Sequence, residues 1–191
     1  GTAWRWLAGL ARDRLGAGPG ADLAERERDR VAVELYGSGG IQAYFDSRLP
    51  LLGQMILRSL LPATRLGPSP ELALVHCQLG VATGALGWRR MALRHIERAE
   101  GLAEALDDQL TRARCTLYLG FVHHLCGRAT EAERLQVRAL TEHGRWLDSM
   151  HFVDGSGDLV FNLLLRGHYR QAWRWVEQQL TRLSFVTGGA Q

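Results

Sequence analysis

The first residues to weigh are those whose spacing could let them share an ion or a proton. His151, Asp154 and Asp158 follow one another at steps of three and four, which puts them on one face of a helix. Three such side chains could hold a cation; a polar groove or a capping turn is the plainer reading. His123 and His124 are neighbours and so point about 100° apart on a helix. With Cys126 and the upstream Cys115 they lack the paired, closely spaced ligands of a structural zinc site, so no metal is expected. Nucleophilic catalysis needs a base, an orienting third group and an oxyanion site, and scattered serines in helical sequence supply no strand-to-helix elbow. Gly37-Ser38-Gly39-Gly40 invites a phosphate-loop reading. The Walker pattern closes on Gly-Lys-Ser/Thr, and this chain contains no lysine. The dinucleotide fingerprint follows a strand, and none is apparent. A kinked or interrupted helix is expected at this glycine run. Gly155-Ser156-Gly157, nearly 120 residues later, takes the same packing reading. No catalytic residue and no cofactor are expected, and the segment reads as a non-enzyme.

Composition narrows the class. Apolar residues make up 46% of the 191 residues, ample for a core. No apolar run approaches the ~18 residues of a membrane span, so no membrane partner is expected. All 23 basic residues are arginine, which reads as GC-rich codon usage rather than function. The net charge is only +3, and signs alternate, as in Arg26-Glu27-Arg28-Asp29-Arg30. Nucleic-acid binders cluster their charge on a face or stripe. Arg90, Arg94 and Arg98 come nearest, but Glu97, Glu100 and Glu104 lie beside them, so a solvated helix surface is expected and no nucleic-acid partner. The odd count of three cysteines, Cys77, Cys115 and Cys126, argues against a disulfide framework and for the reducing cytoplasm, each thiol acting as a small buried apolar group. Gly1-Thr2-Ala3-Trp4-Arg5 reads as the cut end of something longer.

The elements that would carry these residues are helices in pairs. Ser69-Pro70 opens one pair with a capping hydroxyl and a proline in the first turn. Leu72, Leu74, Val75, Leu79 and Val81 recur at helical spacing as far as Leu86, and Gly87 ends the helix. A second helix runs from about Trp88 to Leu106, and Asp107-Asp108 breaks and caps again. The plan repeats from Leu110 to Cys126, turns at Gly127, and continues from Arg128 to about Trp146. It begins once more near Asp148-Ser149, turns at Gly167, and runs out through Trp173, Val176, Leu180 and Leu183. Upstream lies an irregular pair, about Asp29 to Leu66, turning near Asp46-Ser47 with Pro50 at a helix start. Ala3-Trp4-Arg5-Trp6 copies Ala172-Trp173-Arg174-Trp175, so residues 2–15 read as a truncated preceding helix and Gly16 to Gly20 as its linker.

Small residues keep a common step of 40. Gly40, Gly80 and Gly120 form one series; Ser47, Gly87, Gly127 and Gly167 a second. Ala92, Ala132 and Ala172 form a third; Ser59, Ala99 and Ala139 a fourth. A mid-helix glycine costs ~1 kcal/mol relative to alanine, so glycines kept in phase should serve close helix packing. The divisions are residues 1–20, 21–67, 68–107, 108–147 and 148–191. The expected fold is an all-α solenoid of about three and a half helical hairpins.

The layout resembles tetratricopeptide repeats. Leu79-Gly80 and Leu119-Gly120 match the mid-first-helix pair, and Gly87, Gly127 and Gly167 the turn glycine. Ala92, Ala132 and Ala172, then Ala99 and Ala139, match the alanines of the second helix. Departures are His76, Thr116, Thr83 and His123 at aromatic positions, Val160 and Gln179 in the last unit, no closing proline, and a period of 40 rather than 34. The junction Ala-Thr-Arg-Leu-Gly-Pro-Ser-Pro-Glu-Leu-Ala at residues 63–73 is similar to the repeat regions of large bacterial signalling ATPases of the AAA or STAND type, often joined to a cyclase or kinase. This resemblance implies a right-handed superhelix, a protein-binding or scaffolding role, and a concave groove lined by first helices. In that register the inward positions are Tyr44 and Phe45; Leu74, Cys77, Gln78 and Val81; Arg114, Leu117, Tyr118, Phe121 and His124; Asp154, Asp158, Phe161 and Leu165. The expected partner-binding set is Tyr44, Phe45, Gln78, Arg114, Tyr118, Phe121, His124, Asp154, Asp158 and Phe161, because Tyr, Phe and Arg concentrate binding energy. The competing expectations are that these faces are core under further repeats, or that the groove senses a small effector.

Overall fold

The computed structural model describes residues 22–188, with side chains as far as residue 180. The helix expected at residues 2–15 and its linker lie outside that set, as does the side chain of Leu183. Among the described residues every regular element is helical. In chain order these are α1 (Leu23–Phe45), α2 (Leu49–Leu66), α3 (Pro70–Ala85), α4 (Arg89–Leu106), α5 (Gln109–Leu125), α6 (Ala129–Thr141), a 3-10 turn (Gly144–Trp146), α7 (Ser149–Leu165) and α8 (Tyr169–Gly188). None is long and apolar enough to cross a membrane.

Local chemistry sets the boundaries. Three of the odd helices open on an oxygen that caps a free amide of the first turn. Ser69 Oγ accepts from the Leu72 amide at 3.2 Å, Asp108 from Thr111 at 2.8 Å, and Asp148 from His151 at 2.9 Å. Each hairpin then turns through a left-handed residue: Ser47 (φ 56°), Gly87 (78°), Gly127 (75°) and Gly167 (75°). The backbone bonding around all four is the same. The amide of the next residue returns to a carbonyl four before the left-handed one: Arg48 to Ala43, Trp88 to Thr83, Arg128 to His123, His168 to Leu163. Glycine suits that φ without strain, and Ser47 is the one turn where a side chain must tolerate it.

Consecutive helices pack on one another along the whole array, and α1–α3, α3–α5 and α5–α7 also touch. The apolar interior is a chain of overlapping clusters rather than one centre. Val33, Ile56, Leu60 and Val75 join α1 to α3; Cys77, Ile96, Val122 and Leu135 join α3 to α6; Leu117, Leu140, Leu159 and Leu163 join α5 to α7. This is the packing of an α-helical solenoid. The small residues lie at its seams. Ala92, Ala99, Ala132 and Ala139 are fully buried. A Cβ on Gly80 would meet Ile96 at 2.9 Å, and one on Gly120 would meet Gln136 at 2.8 Å and its backbone nitrogen at 3.2 Å.

Two expectations need correction. α1 runs without interruption through Gly37–Gly40, because Gly39 and Gly40 lie against Met55 and Leu52 of α2, and that packing outweighs the poor helix propensity of glycine. Gly37 and Gly157 face open space, whereas Gly155 is pressed on Leu117, so only part of each glycine run serves packing. The helix after Gly127 stops at Thr141, not near Trp146. Just beyond that end the chain makes a 3-10 turn, and the Phe152 ring packs on Gly144, where a Cβ would stand 3.0 Å away.

Candidate functional site

The odd helices share a cavity of about 130 Å³ and, adjoining it, a depression of about 570 Å³. Tyr36, Gly40, Ile41, Tyr44 and Phe45 of α1 line the cavity, with Leu52 and Ile56 of α2, Gln78 and Val81 of α3, and Leu117, Tyr118 and Phe121 of α5. Met150, His151, Asp154, Gly155 and Asp158 of α7 complete the wall. Seven of the ten expected residues therefore converge: Tyr44, Phe45, Gln78, Tyr118, Phe121, Asp154 and Asp158. They do so because each odd helix presents one phase to the same side of the stack. The Tyr44 and Phe45 rings meet edge to face, centroids 5.5 Å apart, and both remain exposed at the rim. Tyr118 meets His151 edge to face at 6.2 Å.

The other three expected residues are placed differently. Phe161 and His124 stack on each other, 5.7 Å apart and nearly parallel, beside the cavity. Arg114 lies in an adjoining depression with Gln78, Tyr118 and His151, and its guanidinium donates to Asp148 Oδ2 at 2.9 Å. It is a strut between α5 and the start of α7. Asp148 also accepts from the His151 ring at 2.7 Å, so His151 belongs to a capping turn. Among the described residues no group of three His, Cys, Asp or Glu side chains is placed to hold a metal ion. The three cysteines are buried free thiols, Cys77 and Cys115 facing each other at 3.6 Å.

Sequence reasoning missed the residues that hold Asp158. Gln136 of α6, fully buried, donates from Nε2 to Asp158 Oδ2. Its Oε1 accepts from Asn162 Nδ2 at 3.4 Å, and Asn162 also donates to the Ala129 carbonyl at 2.9 Å. Buried mid-helix amides, one on α6 and one on α7, were the available signal, since such groups must find partners. This relay fixes the carboxyl of Asp158 at the cavity wall, with His124 Nδ1 3.4 Å from its other oxygen.

The electrostatics follow from this placement. Burial, then the nearby Asp154, raises the Asp158 carboxyl to about 7 against the opposing bond from Gln136. Asp154 sits at the mouth, open to solvent on one side; its apolar wall raises its carboxyl while His151 opposes. Tyr44 is raised by burial and then by Asp154 and Asp158, which face it across the cavity. Burial lowers His124, disfavouring its charged form beside Asp158. No arginine lines the cavity among the described residues.

Compared with known proteins, the chain matches no family model, no curated protein and no solved structure.

Proposed function

We propose that this array is a protein-interaction module whose concave side captures a short segment, peptide or single helix, of a protein partner. The observation that carries the reading is the aromatic-walled cavity fed by all four odd helices. Its volume of about 130 Å³ suits one inserted side chain, and the adjoining depression of about 570 Å³ along the same helices leaves room for the rest of a segment. Tyr and Phe around a narrow recess are the side chains that concentrate interface energy. The finer architecture is part of the proposal: a right-handed, tetratricopeptide-like superhelix of period 40, supported by the left-handed turns at Ser47, Gly87, Gly127 and Gly167. So is a cytoplasmic, non-catalytic role, supported by the buried free thiols. Association with a signalling ATPase rests on the junction at residues 63–73 alone.

Selection of a displayed random peptide library on the purified chain tests the reading. Enriched peptides should bind wild type and lose affinity on Phe121→Ala, whose circular dichroism stays helical. Failure to enrich any peptide, or peptides indifferent to Phe121→Ala, removes the groove. Saturable binding of small metabolites in place of peptides would shift the assignment to an effector sensor.

A further inference from the structure

We propose that the recess selects its occupant by charge: Asp154 and Asp158, facing Tyr44 across an aromatic wall, clamp the head of an arginine or lysine supplied by the partner segment. The inference rests on the docking reading above and names the chemistry of the anchor.

Three observations converge on a cation. First, the chain carries a net charge of +3, yet the cavity wall holds two aspartates and no arginine among the described residues. The Arg114 guanidinium, in the neighbouring depression, is already bonded to Asp148 at 2.9 Å. The charge an occupant meets is therefore negative. Second, the acids stand among Tyr44, Tyr118 and Phe121, and aromatic faces attract a cation that has shed its water. Third, Asp158 is held from behind. Gln136 and Asn162 form a buried relay from α6 through α7, so its free side is aimed at the recess before any partner arrives. A preformed carboxylate loses little freedom on binding. A cationic head lets both aspartates stay ionised, whereas an apolar anchor pushes them toward the protonated form and forgoes that attraction.

Proton linkage supplies a second readout. With its carboxyl near 7 in the free protein, Asp158 is about half protonated at neutral pH. A bound cation favours the ionised form, so binding releases a proton and affinity rises from about pH 5.5 toward about pH 8, where it levels. The groups facing Asp158 are Asp154 and His151 on α7, His124 and Tyr118 on α5, Tyr44 on α1, and the non-titrating Gln136 on α6. Protonation of His124 and of Asp154 in acid weakens cation binding in the same direction, so Asp158→Asn removes the Asp158 part of the slope and leaves the other two.

The test is a titration of the isotopically labelled chain with benzylammonium and with its neutral analogue benzyl alcohol, followed by amide shifts on α1, α5 and α7. Benzylammonium should bind about tenfold more tightly at pH 8, the ratio one desolvated charge contact supports. The Asp154→Asn, Asp158→Asn double variant should bring the two probes level while retaining wild-type helicity. Equal binding of the neutral probe to wild type, or no binding of benzylammonium at tens of millimolar, overturns the clamp. Library peptides probe the clamp independently. Enriched sequences that lose affinity when their arginine is replaced by citrulline support it. Enriched sequences that need Phe121 but carry no basic residue leave the docking groove standing and remove the clamp.

Discussion

α7 and its cap carry two carboxylates ten residues apart with opposite fates. Burial alone would raise Asp148 at the first turn, but the His151 amide, the Arg114 guanidinium and the His151 ring outweigh it and hold the carboxyl at about 2. Asp158 in the middle meets burial and a like charge with only Gln136 against them, and it rises to about 7. The two carboxyls differ both in how deeply they are buried and in how many donors oppose that burial. The difference separates the frame, where polar groups are paired off between helices, from the cavity, where they are left to face an occupant.

Substitutions can break or sharpen that contrast. Asp148→Ala removes a cap and the Arg114 strut together and, the pair being partly screened by solvent, should cost about 1–2 kcal/mol at pH 7, read as a fall in thermal midpoint. Because the folded carboxyl is depressed, this contribution is present above about 4 and fades as pH falls through about 2. An Asp148→Ala midpoint equal to wild type would erase the distinction. Ala132→Leu, also in the frame, overpacks the seam beneath Gly120 and should cost about 1–3 kcal/mol. Asp158→Asn should act the other way. A carboxyl raised in the fold gives stability that is complete below about 4 and lost as pH rises through about 7. The asparagine should therefore gain about 1–2 kcal/mol at pH 8, little at pH 4, and flatten the profile. A loss at pH 8 would mean that Asp158 belongs to the frame. Phe121→Ala should change stability least, by about 1 kcal/mol or less, and binding most.

Much of the frame is legible in the sequence because it is local. Ser69, Asp108 and Asp148 announce helix starts by chemistry, and Gly87, Gly127 and Gly167 announce turns by the φ that only glycine adopts freely. The inward phase of the odd helices is legible too, through the register of the repeat resemblance, which groups Tyr44, Tyr118 and Asp158 on one side of the stack. What the chain hides depends on residues far apart. Arg114 looks like an anchor by type, and only the approach of Asp148, 34 positions downstream, turns it into a strut. Just past the end of α6 Phe152 reaches back to Gly144, a contact no periodicity encodes. The continuity of α1 through four small residues depends on Met55 and Leu52 across the hairpin. Gln136 and Asn162 lie on different helices, and nothing in either segment names the other.

The recess is walled at one side by α1 and at the other by α7, elements separated by two whole hairpins. In a stack where each hairpin leans chiefly on the next, a slight tilt at every seam adds in one sense. The gap between those outer walls thus behaves like the jaw of a caliper. Its width is set by the sum of all intervening joints, and a residue swap deep in any one of them resizes the mouth without touching its lining.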